Sequence, residues 1–258
     1  MKKAIQFILV SLLVLSFVSC SSDSDSDNPV LLKKLTAVTM GQNATHTFSY
    51  SGTKLTKVAF EIEAQTDGIG YDKYVYNGDL ITEIKRYDAS NQNTATTQFT
   101  YNTNNQLTAV VKLQPASNYG FKNVFTYNND GTVSVTGYSG DINSQTNLSS
   151  ISEKFYFQNG EVSRKEYSST TLSYSITYAY DSAHHPMQNV TGINAIKLYS
   201  FIANGLFGMQ HNMTQQTTAI SGNADTQVTM QADYNTDNYP TALYSEDGIY
   251  QYQFSYFK

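Results

Sequence analysis

Tyr74-Val75-Tyr76-Asn77-Gly78-Asp79-Leu80-Ile81-Thr82-Glu83-Ile84 holds a pattern that the rest of the chain repeats. Two aromatic residues stand two apart, so in an extended strand they share one face. Asn77-Gly78 suits the positive φ angles of a tight hairpin turn. Leu80, Ile81 and Ile84 then open an aliphatic returning strand. The segment reads as one β-hairpin.

The same order recurs on both sides of it. Phe48-Ser49-Tyr50-Ser51-Gly52 precedes Leu55 and Val58, and Phe99-Thr100-Tyr101-Asn102 precedes Leu107 and Val110. Phe125-Thr126-Tyr127-Asn128 leads through Gly131 to Val133 and Val135, and Phe155-Tyr156-Phe157-Gln158-Asn159-Gly160 to Val162. Tyr178-Ala179-Tyr180-Asp181 leads through Pro186 to Val190, Asp233-Tyr234-Asn235 to Leu243, and Tyr252-Gln253-Phe254-Ser255-Tyr256 ends the series. The second aromatic falls at 50, 76, 101, 127, 157, 180, 234 and 256; most steps are 22 to 30 residues, and one of 54 spans about two units.

The expected fold is therefore all-β: an antiparallel meander of repeated hairpins, curled into a barrel-like or strongly curved sheet with its rings inward. Composition agrees, with 21 Tyr, 13 Phe and no Trp, residues that suit a half-buried pleated surface. Seven or eight hairpins make about 14 to 16 strands. A barrel fills with its own side chains at about eight strands. A larger one must flatten, curl open or hold something inside. One segment breaks the repeat, Ile193 to Met209, where Ile196, Tyr199, Ile202, Leu206 and Met209 recur at helical spacing. Gly205 and Gly208 weaken its later half. It is expected as a short helix or compact loop plugging or capping the barrel.

The chain opens with Lys2 and Lys3, then an apolar run from Ala4 to Phe17. Fourteen residues suit a secretory h-region and fall short of the ~20 that span a bilayer. The run ends Phe17-Val18-Ser19-Cys20, and Cys20 is the sole cysteine, so no disulfide forms within the chain. This resembles a bacterial lipobox, with Phe17 where Leu is usual. The resemblance implies a signal peptide over 1–19, lipidation of Cys20 and a membrane partner reached through the lipid. Ser21-Ser22-Asp23-Ser24-Asp25-Ser26-Asp27-Asn28 follows, a run that buries nothing and is expected, within 20–30, as a self-repelling tether. Asp23, Asp25 and Asp27 have the first spacings of an EF-hand, but Asn28 and Lys34 occupy the places that need Gly and Glu. The remaining domain is 31–258.

Losing Lys2 and Lys3 takes the net charge from −5 to −7. Basic residues are scattered singly or in pairs, so no stripe exists for nucleic acid. No Gly-x-Ser-x-Gly elbow and no phosphate-cradling glycine loop occurs. The histidines are His46, His184, His185 and His211; His184-His185 precedes Pro186 and is expected as a solvent-facing pair in a hairpin turn, with a shared metal among His184, His185 and His211 disfavoured. Glu61 with Glu63, and Asp79, Glu83 and Glu153, are the carboxylates weighed for glycosidase chemistry, and nothing separates them from solvated residues. Asn43, Asn147, Asn189 and Asn212 begin N-x-S/T sequons, to which a bacterial lipoprotein gives no default meaning. Asp181-Ser182-Ala183 resembles an O-glycosylation triplet.

The repeats resemble YD (Rhs-type) repeats, and more closely the uncharacterised Bacteroidetes-type surface lipoproteins whose domain of unknown function is described as porin-like in fold. The resemblance covers about Leu32 to Lys258, including Asn189-Val190-Thr191 and Asn238-Tyr239-Pro240-Thr241. It implies a lipid-anchored protein of the outer membrane or cell surface, and it carries no functional residues across. The expected role is a non-enzymatic binding or structural module without catalytic residue, metal or cofactor, whose ligand is a glycan or a protein; an envelope enzyme acting on glycan or peptide is the alternative.

Overall fold

The computed structural model describes residues 28–65, 68–202 and 208–257. The expected signal peptide, Cys20 and most of the expected acidic tether lie outside them, as do residues 203–207 of the expected plug.

Sixteen strands follow one another: β1 Leu31–Thr39, β2 Gln42–Ser51, β3 Lys54–Ile62, β4 Ile69–Asn77, β5 Leu80–Asp88, β6 Asn93–Tyr101, β7 Leu107–Gln114 and β8 Tyr119–Tyr127. After them come β9 Val133–Gly140, β10 Gln145–Gln158, β11 Glu161–Ser168, β12 Ser173–Tyr180, β13 Met213–Ile220, β14 Thr226–Tyr234, β15 Pro240–Ser245 and β16 Tyr250–Phe257. Each pairs antiparallel with its neighbours in the chain, and β16 pairs with β1 to close the barrel. One helix, α1 Ile193–Ile202, lies between β12 and β13.

Except at Tyr178 and Tyr180, each expected aromatic unit heads a hairpin or ends the last strand, and the first ring of the pair lines the interior. Phe48, Phe99, Phe125, Phe155 and Phe254 are all under 9 % exposed. The opposite faces are polar. Along β16, Tyr250, Tyr252, Phe254 and Tyr256 point in while Gln251, Gln253 and Ser255 point out. Along β6, Ala95, Thr97, Phe99 and Tyr101 alternate with outward Thr96, Gln98 and Thr100. A barrel that spans lipid carries the reverse order, apolar outside and polar within.

The second aromatic does a further job that composition alone hides. The Tyr50 hydroxyl donates to Leu32 O (2.8 Å), Tyr101 to Ile81 O (2.5 Å), Tyr127 to Leu107 O (3.2 Å), Tyr180 to Val162 O (2.7 Å) and Tyr256 to Pro240 O (2.7 Å). Each therefore reaches back to the first residues of an earlier returning strand, lacing neighbouring hairpins together. The register shifts by one residue beside Tyr50, Tyr76, Tyr101, Phe157, Tyr180 and Tyr234, a bulge that sharpens the local twist. At the bulge, Thr56, Thr82, Thr108, Ser163 and Thr241 donate their hydroxyls to a carbonyl across the hairpin. Gly78 takes φ +57° in its turn with open space around it, so backbone freedom alone selects glycine there.

One expectation needs correction. Tyr178 to Val190 is not a hairpin, and the 54-residue step hides no extra unit. After β12 the chain leaves the wall as a single insertion, 181–212, and returns in β13. Thr191 N–H donates to Thr53 O (3.0 Å), Asn189 Nδ2 to Val30 O (3.0 Å) and His184 N–H to Asn238 O (2.9 Å). The insertion thus crosses the rim where the aromatic turns lie, and α1 descends inside. Ile196, Leu198 and Phe201 pack in one cluster with Ile81, Phe99, Phe125 and Phe155. The plug exists because sixteen strands enclose more space than their own side chains fill.

Candidate functional site

The barrel has two unlike ends. At the capped end stand the aromatic turns, the insertion and the start of β1. At the other end are the turns that follow β1, β3, β5, β7, β9, β11, β13 and β15, and there the lumen keeps unfilled volume.

Ionisable groups inside the capped half fasten the plug. The Glu161 carboxylate, 7 % exposed, accepts backbone N–H bonds from Met209, Gln210 and His211 at 2.5–2.8 Å and contacts His211 Nδ1 at 3.1 Å. Gly208 is required beside it, because a Cβ there would meet Tyr180, His211 O and Glu161 Oε2 at 2.6–2.8 Å. Asp181 accepts from Ala183 N–H, from Asn212 N–H and Nδ2, and from the Tyr234 hydroxyl. Lys197 donates to Met209 O, and burial pulls its ammonium down to about 8 despite the opposing pull of Glu161. Deeper, Lys165 Nζ meets Glu153 Oε1 at 2.9 Å and donates to Phe201 O at 3.0 Å, tying wall to helix. The Glu161 and Asp181 carboxylates each accept several protein donors and so hold the inserted segment, while Glu153 is held by Lys165.

The residues weighed from sequence are dispersed. Glu61 and Glu83 face outward, and Glu63 is engaged by Asn43. Asp79 pairs with Lys54 at a turn. Glu153 is buried against Lys165, while Glu61 and Glu63, two apart at the end of β3, border one surface hollow beside Asn43 and Gln65. His46 points inward, and burial lowers its pKa. The solvent-facing pair is a correction: His185 is 4 % exposed. Its Nδ1 accepts from Met187 N–H at 3.0 Å, and burial holds it well below the usual imidazole value. Only His184 is partly accessible, with its ring 4.8 Å from that of Tyr239. The loop enters a barrel mouth instead of turning in solvent. Among the described residues no three His, Cys, Asp or Glu side chains gather as metal ligands. The sequon residue Asn212 is fully buried, closing that position to modification in the folded state.

Sequence reasoning missed the fasteners, though two signals were present. Lys197 is a lone charge in an apolar helix, which requires a buried acceptor. Glu161 places an acid directly before the inward Val162, at the residue that opens a returning strand and is Lys54 or Leu80 in other units.

Toward the uncapped end, two cavities flank α1. One, of about 350 Å³, adjoins Asp72, Arg86, Lys112 and Tyr199; Arg86 grips Asp72 with two bonds of 2.8 Å. The other, of about 450 Å³, is walled by inward side chains of β1, β12, β13, β14 and β16, with Ile176, Met213, Met230, Tyr174 and Tyr250 among them. Pockets of ~300–1,000 Å³ are the usual size for small-molecule sites.

No family model matches this chain, and a search of curated proteins finds no match. Two solved structures share its fold. A porin-like protein from Bacteroides vulgatus superposes with a TM-score of 0.58 at 13 % identity, over 89 % of this chain and 99 % of that one. A porin-like protein from Bacteroides uniformis gives 0.55 at 13 % identity, over 89 % and 99 %. The chain is thus similar in fold to porin-like Bacteroides proteins along nearly the whole described barrel.

Proposed function

We propose that this chain is an envelope lipoprotein, held through Cys20 at the outer membrane or cell surface, whose plugged barrel acts as a non-enzymatic binding module. The observation that carries the reading is the polarity of the wall. Gln, Ser and Thr face outward, while Phe, Leu and Tyr face a plug. Such a domain sits in water and needs a tether, which the lipobox-like Phe17-Val18-Ser19-Cys20 and the Ser/Asp run supply. We read the hairpin units as relatives of YD repeats, on the strength of their aromatic pairs and turns.

Leu31 enters at the capped end, and the ten residues after Cys20 span at most about 35 Å, a reach that keeps the barrel beside the membrane. An envelope enzyme is the weaker reading, because Glu161 and Asp181 are each engaged by several protein donors and Glu153 is paired with Lys165. Fractionation tests the anchor: Cys20→Ala should move the protein from membranes to the soluble fraction, and unchanged membrane partitioning would overturn it. A thermal-shift panel of glycans, peptides and metals on the mature domain tests binding. A ligand at 100 times its Kd adds about 2.7 kcal/mol, and silence across the panel would leave a structural spacer.

A further inference from the structure

We propose that the larger lumen cavity is a binding site for a small uncharged amphiphile, a molecule with an aromatic or short alkyl group beside hydroxyl or amide groups. The proposal rests on the binding-module reading and names its ligand class.

The cavity follows from the geometry of the plug. Helix α1 leans on the side of β5 to β11 through Ile196, Leu198 and Phe201. One helix is too thin for a sixteen-stranded lumen, so about 450 Å³ stays open against the opposite wall. Its lining is sorted by chemistry. Ile176, Met213 and Met230 are each under 9 % exposed and offer an apolar surface, with the flexible thioethers able to adapt to an occupant. Around them stand the hydroxyls of Tyr174, Tyr250 and Thr218 and the carboxamide of Gln216. Among the described residues these four groups have no hydrogen-bond partner in the protein. Tyr50, Tyr101, Tyr180 and Tyr256, by contrast, each donate to a carbonyl.

The lining also selects against charge. Among the described residues no Lys, Arg, His, Asp or Glu borders this cavity, and an ion entering it would lose hydration without gaining a partner from them. Burial, with the Glu153 carboxylate nearby, raises the pKa of Tyr174, so its hydroxyl stays a neutral donor. The second cavity, beside Asp72, Arg86 and Lys112, has the opposite character. Above the apolar cavity, Met40 and Ile249 are 78 % and 41 % exposed on the rim, joined by Met40 N–H to Ile249 O at 3.0 Å. They adjoin Thr39 and Tyr250 of the lining and give an apolar approach.

The test uses the mature domain with N-phenyl-1-naphthylamine, a neutral fluorescent probe, and competition by 4-nitrophenyl β-glucoside or by decanoate. The expected result is saturable binding of one probe per chain, displaced by the neutral glycoside and not by the anion. Val228→Trp and Thr218→Met project into the cavity and should each weaken binding on the order of tenfold or more. Thr218→Met is the milder change and carries the test if Val228→Trp does not give the wild-type circular dichroism spectrum. Absence of saturable binding, equal affinity in the folded variants, or equal displacement by decanoate would each overturn the proposal. If the probe fails while a glycan or peptide shifts the melting temperature, this site falls and the binding-module reading stands. Silence from both removes both.

Discussion

Replacing Lys165 by Met should destabilise the barrel by about 3–5 kcal/mol, the usual cost of leaving one member of a buried ion pair alone. Lys165 is 1 % exposed, its partner Glu153 is 8 % exposed, and its ammonium also holds the Phe201 carbonyl. The variant strands a carboxylate in the lumen. At about 2–4 °C per kcal/mol for a chain of this size, the melting temperature should fall by roughly 6–20 °C. The double variant Glu153→Leu/Lys165→Met removes both charges and should recover most of the loss, since an apolar replacement of a buried pair is often neutral or stabilising. The pH dependence has a definite sign. Burial raises the Glu153 pKa and Lys165 opposes that rise. Without Lys165 the folded state holds the Glu153 proton more tightly than the unfolded chain. That contribution is complete below the unfolded pKa and is lost as pH rises through the folded one. The single variant's deficit should therefore be largest near pH 8 and shrink toward pH 5. Urea titrations at both pH values measure it. Equal losses in the single and double variants, or a deficit indifferent to pH, would refute the buried pair.

Other outcomes follow from the same structure. Tyr101→Phe removes the hydroxyl bonded to Ile81 O at 2.5 Å and should cost about 0.5–1.5 kcal/mol in urea unfolding, whereas Tyr119→Phe, at an exposed turn, should cost nothing measurable. Gly78→Ala should lose about 1–2 kcal/mol through its positive φ alone, and Gly78→Asn markedly less; equal losses would mean that sterics decide. The chain has no Trp, so Phe201→Trp places a sole indole in the plug; its emission should be blue-shifted and protected from acrylamide without lipid, and ready quenching would remove the plug. Lys197 has a folded pKa of about 8 against 10.5 unfolded, so its contribution to stability is complete above 10.5 and is lost as pH falls through 8. Relative to Lys197→Met, the wild type should gain stability between pH 7.5 and 9.5, and a flat difference would contradict the burial.

The hairpins were legible because their causes are local. A two-residue aromatic spacing and an Asn-Gly turn act within a dozen residues, and Tyr74 to Ile84 contains all of it. Closure was not legible, because pairing Leu31 with Phe257 depends on accumulated twist over fourteen intervening strands. Tyr178 to Val190 was misread because its aromatic pair and aliphatic target copy a hairpin, while the burial of His185 and Pro186 that forbids one is a tertiary fact. The Thr or Ser that follows Leu55, Ile81, Leu107, Val162 and Pro240 stood in the sequence as a further member of the unit. Only the bulge geometry shows what it does. The apolar cavity was hidden for another reason. Its lining comes from five strands, and repeat periodicity gives a Tyr at 174 or 250 the same inward direction whether it meets a plug or empty space.

The β1–β16 seam has a kinetic consequence. During folding β1 keeps one edge bare until β16, Tyr250–Phe257, pairs with it. Its partner is the most distant in sequence, which makes ring closure the slowest kind of contact to form. A chain cut short before Tyr250 would leave β1 and β15 as open templates for other copies. A barrel closed at this join hides both strand edges, and one opened there offers two of them to other copies.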